Sequence, residues 1–374
     1  MSDSQYEMIS DVARLQEVTD QCRQRPAVAI DTEFARFNTY FPIVGLIQFF
    51  DGDHCYLVDP LEIEDLLPLI DLLTDPGVVK VFHACSEDIE VFHRSLGVVP
   101  APLFDSQVAA AALGVDFSMS YQRLVEHYLG LNIPKDETRS DWLQRPLTDA
   151  QLEYAALDVI HLLEVYEKQV GLLAAAGKSA WVAEECDHAA EDIATNVEPE
   201  RAYLRLKGLA RLDRESLYLV REICAWRETV ARERDVPRNR IIDEKSILAI
   251  ARLDYLETGG LHKHTTMNAR QLRQYGDSIV ELVNRARMVP EEQRGKIEVE
   301  SATPVNNKLM KKLKQIVNEK AESWQVAPEM LARRRHLEAL IRSGENGGDF
   351  VLPADMLGWR KTVIGDDLLK ALAE

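Results

Sequence analysis

Short apolar runs alternate with amphipathic segments in the first half of the chain. The runs of strand length are residues 28–31, 45–50, 55–58 and 78–82. Between the second and third run stands Asp51-Gly52-Asp53, a sequence typical of a hairpin turn. Helical spacing of apolar residues is found in residues 65–73, 86–96 and 148–173. Hairpin strands followed by alternating strands and helices predict a mixed sheet with helices on its faces.

The second half has helical periodicity without strand-like runs. Its periodic segments are residues 217–234, 244–251, 269–287, 308–321 and 327–343. Polar, proline-containing stretches at 196–201 and 289–307 separate the helical groups. These patterns predict three domains, namely an α/β domain at 1–195 and two all-α domains at 210–290 and 305–374.

Length and composition agree with a globular protein of several domains. The 374 residues exceed what one hydrophobic core supports, and 46% hydrophobic with 28% charged residues is an ordinary globular mixture. No apolar run reaches the ~18 residues that span a bilayer, so no membrane partner is expected. The five scattered cysteines and the absence of an N-terminal apolar segment predict a reducing, cytoplasmic location.

The net charge of −18 conceals a strong asymmetry between the two halves. Residues 1–200 hold 12 Lys and Arg against 36 Asp and Glu, whereas residues 201–374 hold 32 against 26. Halves of opposite sign suggest different tasks. The acidic half could hold cations, and the basic half could bind phosphates.

Four carboxylates and one tyrosine stand at places where they could meet. Asp31 and Glu33 end the first strand and point to one face, since alternate strand residues share a face. Asp88 lies in the first turn of a helix, and Tyr154 and Asp158 lie one turn apart on another. Each group alone would be an ordinary surface feature. Together they form an all-oxygen ligand set, which suits the hard cations Mg²⁺ and Mn²⁺.

Three segments in this order resemble the ribonuclease D family of DEDDy 3′→5′ exonucleases, which have a ribonuclease H-like fold. The segments are VAIDTEFARFNTYFPIVGLIQFFDG, FHACSEDIEVF and YAALDV. The basic half resembles the two HRDC-type helical domains of that family. The resemblance implies that Asp31, Glu33, Asp88 and Asp158 bind two divalent cations, Mg²⁺ or Mn²⁺. It implies that Tyr154 orients the attacking water.

The resemblance also implies an activity and a substrate class. The expected enzyme is a monomeric, metal-dependent 3′→5′ exoribonuclease that releases 5′-monophosphates. Its expected substrates are RNAs with accessible 3′ ends, especially tRNA precursors and other structured RNAs. Two alternatives stay open at this point: a DNA 3′→5′ exonuclease of the same family, and a non-catalytic nucleic-acid-binding adaptor.

Four further residues are candidates for contact with the substrate. Lys135 and Arg139 are among the few basic residues of the acidic half, and they could meet backbone phosphates or belong to a charged surface loop. Phe34 and Gln48 could line the path of the terminal nucleotide, where an aromatic ring stacks on a base, or could pack in the sheet.

Overall fold

The computed structural model describes residues 6–134, 140–194, 198–253, 255–295, 297, 305–344 and 348–373. Within these residues no helix is long and apolar enough to span a bilayer. The chain forms two compact units. The first contains Met1–Ala35, Ile43–Ala194 and Val305–Glu374, and the second contains Arg36–Pro42 and Thr195–Pro304.

A mixed six-stranded sheet is the centre of the first unit. Its strands are β1 (Tyr6–Ile9), β2 (Ala27–Ala35), β3 (Ile43–Phe50), β4 (Cys55–Val58), β5 (Val79–Phe82) and β6 (Leu103–Asp105). The order across the sheet is β1-β4-β3-β2-β5-β6. The neighbours β2–β3 and β3–β4 are antiparallel, and the other pairs are parallel. Strands β3 and β2 form the centre of the sheet.

Helices cover both faces of this sheet. They are α1 (Val12–Cys22), α2 (Leu67–Thr74), α3 (Ser86–Ser95), α4 (Ser106–Ala112), α5 (Tyr121–Leu129), α6 (Asp149–Ile160), α7 (Leu162–Ala176) and α8 (Ser179–Ala194). Successive side chains of β2 point to opposite faces of the sheet. Val28 and Ile30 therefore belong to the hydrophobic cluster on one face, and Ala27 and Ala29 belong to the cluster on the opposite face.

The strands and helices predicted for the first half are present, but β1 and the helices α1, α5 and α8 were not predicted. The hairpin of β3 and β4 is present, and Gly52 in its turn has φ +102°, a conformation that favours glycine. The helix predicted over 148–173 breaks at His161 into α6, which packs on β2, β3 and β4, and α7, which packs on α4, α5, β2 and β5.

The C-terminal helices belong to the same compact unit as the sheet. They are α14 (Asn307–Trp324), α15 (Pro328–Leu331), α16 (Arg334–Ser343) and α17 (Asp366–Ala373), with the five-residue π-helix Lys361–Gly365 before the last. Trp359 stacks on Trp181 of α8 with ring centroids 4.6 Å apart. Arg360 donates a 2.7 Å hydrogen bond to Glu185 of the same helix.

The second unit is helical. Its α-helices are α9 (Arg214–Glu233), α10 (Arg238–Ile241), α11 (Glu244–Ala251), α12 (Leu261–His264) and α13 (Ala269–Arg287). Aspartates cap two of them: Asp213 accepts a hydrogen bond from the backbone of Ser216, and Asp243 from that of Ser246. Tyr40, in the segment between β2 and β3, is buried in the core of this unit.

Candidate active site

Asp31 and Glu33 lie next to each other on one face of β2. Together with Asp158 each offers a carboxylate oxygen, and these three oxygens lie within 4.8 Å of one another. The β2–β3 register is irregular between Glu33 and Phe34, as at a β-bulge, which changes the direction of the strand just after Glu33. The structure thus brings together three of the four carboxylates of the predicted ligand set.

Helix α6 carries Tyr154 and Asp158 to this cluster. A capping box fixes its start, because Gln151 and Thr148 exchange side-chain-to-backbone hydrogen bonds of 3.0 and 3.2 Å. The helix packs against β2, β3 and β4. One turn of helix separates the phenol from the carboxylate, so both reach the same edge of β2.

Asp88 approaches the cluster from α3 and is buried. Thr32, between the two acids of β2, donates a 2.6 Å hydrogen bond to its carboxylate. The turn before α3 contains Ala84 at φ +59°, in the left-handed region that non-glycine residues rarely adopt. Asp105 stabilises this turn, because its carboxylate accepts hydrogen bonds from the backbone of Ala84 and Cys85 at 3.0 and 3.1 Å. Thr32 and Asp105 are positioning residues that the motifs do not reveal.

The four carboxylates disfavour one another's charge. Burial, followed by the charges of its acidic neighbours, raises the pKa of Asp31 well above its usual range and the pKa of Glu33 to about 9. Burial raises the pKa values of Asp88 and Asp158 to about 7, against opposing hydrogen bonds from Thr32 and Tyr154. Half-buried and buried acids this close together need protons or a cation. The donor set, oxygen atoms only, fits a hard divalent cation.

Tyr154 keeps its proton at this site. Burial, and then the negative charges of Asp158 and Glu33, raise its pKa above the ordinary phenol value. Its ring lies 6.2 Å from the ring of Trp142, centroid to centroid. The hydroxyl can therefore donate or accept a hydrogen bond, but it is a poor base.

A cavity of about 320 Å³ opens beside these groups. Asp31, Tyr154 and Asp158 line it, together with His83 and Tyr121. His83 bonds to Ser106 Oγ at 2.9 Å and to the carbonyl oxygen of Met119 at 3.0 Å, and burial lowers its pKa. The spacing of the motif residues does not show that His83 and Tyr121 line this cavity, because their positions beside the carboxylates depend on the tertiary fold.

The four predicted substrate contacts have different surroundings. Gln48 is fully buried on β3 and is the register partner of Asp31, and its amide atoms have no hydrogen-bond partner among the described residues. Phe34 packs partly buried against the hydrophobic cluster on the other face of the sheet. Lys135 and Arg139 lie outside the described residues. A substrate role for any of the four stays a prediction.

Family profiles match the chain in the predicted order. The profile described as "3'-5' exonuclease" matches residues 6–170, and "HRDC domain" matches residues 216–283. "Ribonuclease D, C-terminal HRDC domain" matches residues 304–368. Ribonuclease D of Pseudomonas paraeruginosa is 42% identical over 368 residues, which cover 98% of each chain. The chain belongs to the ribonuclease D family. It is a hydrolytic exonuclease, as the resemblance implied.

A second curated ribonuclease D agrees with this assignment in sequence and fold. Escherichia coli ribonuclease D is 34% identical over 375 residues, 99% of each chain. Its crystal structure has a TM-score of 0.90 over 98% of both chains. The catalytic core of RRP6 from Trypanosoma brucei, 23% identical over 77% of this chain and 81% of that one, has a TM-score of 0.61 and is similar in fold. The predicted fold class, an α/β exonuclease domain followed by two helical HRDC-type domains, is confirmed.

Proposed function

We propose that this ribonuclease D family enzyme shortens tRNA precursors and other structured RNAs from their 3′ ends and releases nucleoside 5′-monophosphates. The observation that carries the proposal is the convergence of Asp31, Glu33 and Asp158 oxygens within 4.8 Å, beside Asp88 and Tyr154. The E. coli relative, described as an exoribonuclease involved in structured RNA processing, supports the substrate class. The enzyme works as a cytoplasmic monomer in this proposal.

The carboxylates hold two divalent cations, Mg²⁺ or Mn²⁺. Asp31, Glu33 and Asp158 supply the closest group of oxygens, and Asp88 completes the set from α3. When bound, such ions make a water molecule acidic enough to attack near neutral pH and neutralise charge on the leaving oxygen. Because this site holds one buried and three half-buried acids close together, cations also relieve the repulsion among them.

The chain's own groups position the reactants. Tyr154, which stays protonated, holds the attacking water by a hydrogen bond and directs its lone pair at the terminal phosphorus. Asp158 keeps the phenol in place through the hydrogen bond between them. Thr32 fixes the Asp88 carboxylate. Phosphoryl transfer depends mainly on positioning and charge neutralisation, so these contacts account for the chemistry that the protein itself supplies.

The three domains divide the work. Residues 1–195 form the exonuclease domain, and residues 210–290 and 305–374 form two HRDC domains that gather and orient RNA. In this proposal Lys135 and Arg139 bind backbone phosphates of the substrate, and Gln48, the register partner of Asp31, borders the terminal nucleotide.

A gel time course tests this function. The substrate is a 5′-labelled RNA hairpin with a single-stranded 3′ tail, incubated with Mg²⁺ or with EDTA, and a DNA strand of the same sequence is run in parallel. We expect a ladder that shortens from the 3′ end of the RNA only with Mg²⁺, and nucleoside 5′-monophosphates as the products. Faster digestion of DNA would contradict the RNA assignment.

Two variants connect the activity with the site. Asp158→Asn removes a charge from the carboxylate cluster. Glu153→Gln changes an exposed acid on the same helix and is the matched control. We expect no ladder from the first variant and wild-type digestion from the second. Equal digestion by Asp158→Asn and wild type would overturn the proposed site.

A further inference from the structure

One side of the cavity beside the carboxylates is formed by residues 118–122, the segment that leads into α5. We term these residues the cavity wall. The side chains of Gln107 and His83 bond to the carbonyl oxygen of Met119 in this wall, at 2.9 and 3.0 Å. The wall lies outside the three motif segments of the sequence. Its position therefore depends on contacts that the motifs do not contain.

Helix α4, which precedes the wall, shares a hydrophobic core with the C-terminal helices. Ala109 and Ala111 of α4 belong to the same buried cluster as Leu313 of α14 and Leu331 of α15. The backbone N–H of Ala327 donates a 2.9 Å hydrogen bond to the carbonyl oxygen of Ala111. The C-terminal helices are therefore part of the packing that fixes α4.

The end of α4 also lies directly against the turn between α14 and α15. The buried ammonium group of Lys178 joins the two, because it donates to the carbonyl oxygens of Ala112 at 2.8 Å and Gln325 at 3.0 Å. Gly114 has φ +74°, and a Cβ atom at this position would lie 2.7 Å from the carbonyl oxygen of Gln325. Glycine is therefore required for this close approach.

Arg333, the residue before α16, makes the contact nearest to the wall. Its guanidinium lies over the ring of Phe117, 4.8 Å from the centroid, and Phe117 directly precedes the wall. Both side chains are half-buried. The negative face of an aromatic ring attracts a cation, and the attraction is stronger where water is partly excluded. Arg333 thus holds one end of the wall, while Gln107 and His83 hold its middle.

We propose that the C-terminal helices position the cavity wall for the substrate, with Arg333 as a positioning residue that acts through Phe117. The wall borders the terminal nucleotide of the RNA, so its position determines how tightly that nucleotide is held. The proposed metal ligands lie on β2, α3 and α6, so a displaced wall weakens substrate binding and leaves cation binding intact. The substrate rests on the proposed function, and residues 305–374 gain a task besides gathering RNA.

A double-mutant cycle in the full-length chain tests this role. Arg333→Gln removes the cation, Phe117→Leu removes the ring, and a third variant carries both changes. Arg333→Lys keeps a cation for the ring. Arg334→Gln is the matched control, because Arg334 is the exposed neighbour of Arg333 and pairs with Glu338 at 2.7 Å. The substrate is a 5′-labelled ribotetranucleotide, which limits contacts away from the active site, and circular dichroism establishes that each variant is folded.

We expect each single variant to raise KM for the tetranucleotide about fivefold and to leave kcat near the wild-type value. A fivefold change corresponds to about 1 kcal/mol, the size of a cation–π contact. Because both changes remove the same contact, the double variant should also show about a fivefold rise rather than about 25-fold. Arg333→Lys should restore most of the wild-type KM, and Arg334→Gln should match wild type. Independent, multiplying losses would show that Arg333 binds the substrate directly and would overturn the proposal.

Hydrogen exchange tests the wall without any substrate. The amides of residues 118–122 should exchange faster in Arg333→Gln and Phe117→Leu than in wild type or Arg334→Gln. Calorimetric titration should give the wild-type affinity for Mg²⁺ in all of them. Unchanged exchange, or a weakened Mg²⁺ affinity, would contradict a role confined to the wall.

The two readouts separate failure of this proposal from failure of the proposed function. If wild type does not hydrolyse the tetranucleotide, the proposed function fails, while hydrogen exchange still decides whether Arg333 holds the wall. If wild type is active and the single variants have unchanged KM, the positioning role fails alone.

Discussion

Arg145 binds the buried carboxylate of Asp59 through two side-chain hydrogen bonds, one of them 2.6 Å long, and so joins the segment before α6 to the sheet. The same guanidinium donates to the carbonyl oxygens of Gly45 on β3, at 2.7 Å, and of Trp142, at 3.0 Å. Trp142 in turn lies against the ring of Tyr154. The Arg145–Asp59 pair thus helps to position Trp142, which is the neighbour of Tyr154, the proposed water-orienting residue.

Replacing Arg145 by lysine should therefore disturb both stability and turnover. Lysine keeps the charge but cannot make the forked contact with Asp59, and lost hydrogen bonds to a buried carboxylate cost about 1–3 kcal/mol. We expect a lower free energy of unfolding in urea and a lower kcat at nearly constant KM. Arg123→Lys, at an exposed arginine paired with Asp116, is the control and should change neither. An unaltered kcat in Arg145→Lys would exclude the positioning role.

Neutralising Asp31 should have opposite effects on stability and activity. Burial and its acidic neighbours disfavour the charge of this carboxylate, so Asp31→Asn should raise the melting temperature in EDTA. The same change removes a proposed metal ligand and should lower kcat by at least about 10²-fold. Calorimetry with and without Mg²⁺ checks this, because Mg²⁺ should stabilise wild type more than the variant. A variant destabilised in EDTA would contradict the repulsion argument.

Glu228 should make the stability of the second unit depend on pH. Burial alone would raise its pKa, but hydrogen bonds from Arg238 and Tyr40, with the charge of Arg238, lower the pKa to about 2. Arg238 donates to this carboxylate at 2.6 Å and Arg232 at 3.0 Å. A lowered pKa stabilises the folded state above the ordinary carboxyl range, here by about 3 kcal/mol. That contribution is lost as the pH falls from about 5 towards 2.

Hydrogen exchange of α9 amides measures this effect within the second unit. Glu228→Gln should speed exchange strongly at neutral pH, and the difference from wild type should shrink as the pH falls below about 4.5. Glu222→Gln, on the same helix and paired with Arg221 at 3.0 Å, is the matched control. A difference between Glu228→Gln and wild type that stayed constant down to pH 3 would show that ionisation of Glu228 is not its cause.

Gln48 offers a test that separates a packing role from a functional one. Its amide atoms are buried beside Asp31 without a partner among the described residues, so Gln48→Met, of similar shape, should leave the free energy of unfolding unchanged or raise it. If the amide borders the terminal nucleotide, KM for RNA should rise in this variant. A stable variant with wild-type kinetics would assign Gln48 to packing alone.

The local sequence pattern was sufficient to predict much of the fold and the acidic residues of the site. The spacing of Asp31 and Glu33 on a strand, and of Tyr154 and Asp158 on a helix, follows from backbone geometry alone and places each pair on one face. The hairpin turn at Gly52 is equally local. Such features depend on neighbours within a few residues, which is why a single sequence reveals them.

Only the tertiary structure decided which distant groups meet. Thr32 reaches Asp88 across 56 positions, and Arg145 reaches Asp59 across 86. Gln48 is an apt case, since its strand was predicted but its place beside Asp31 depends on the register of β2 and β3. The sequence by itself determined the elements and the motif residues, because their signals are periodic and local. Packing of the sheet and helices determined the contacts that position them, because these contacts depend on register and on the direction in which each element leaves the sheet.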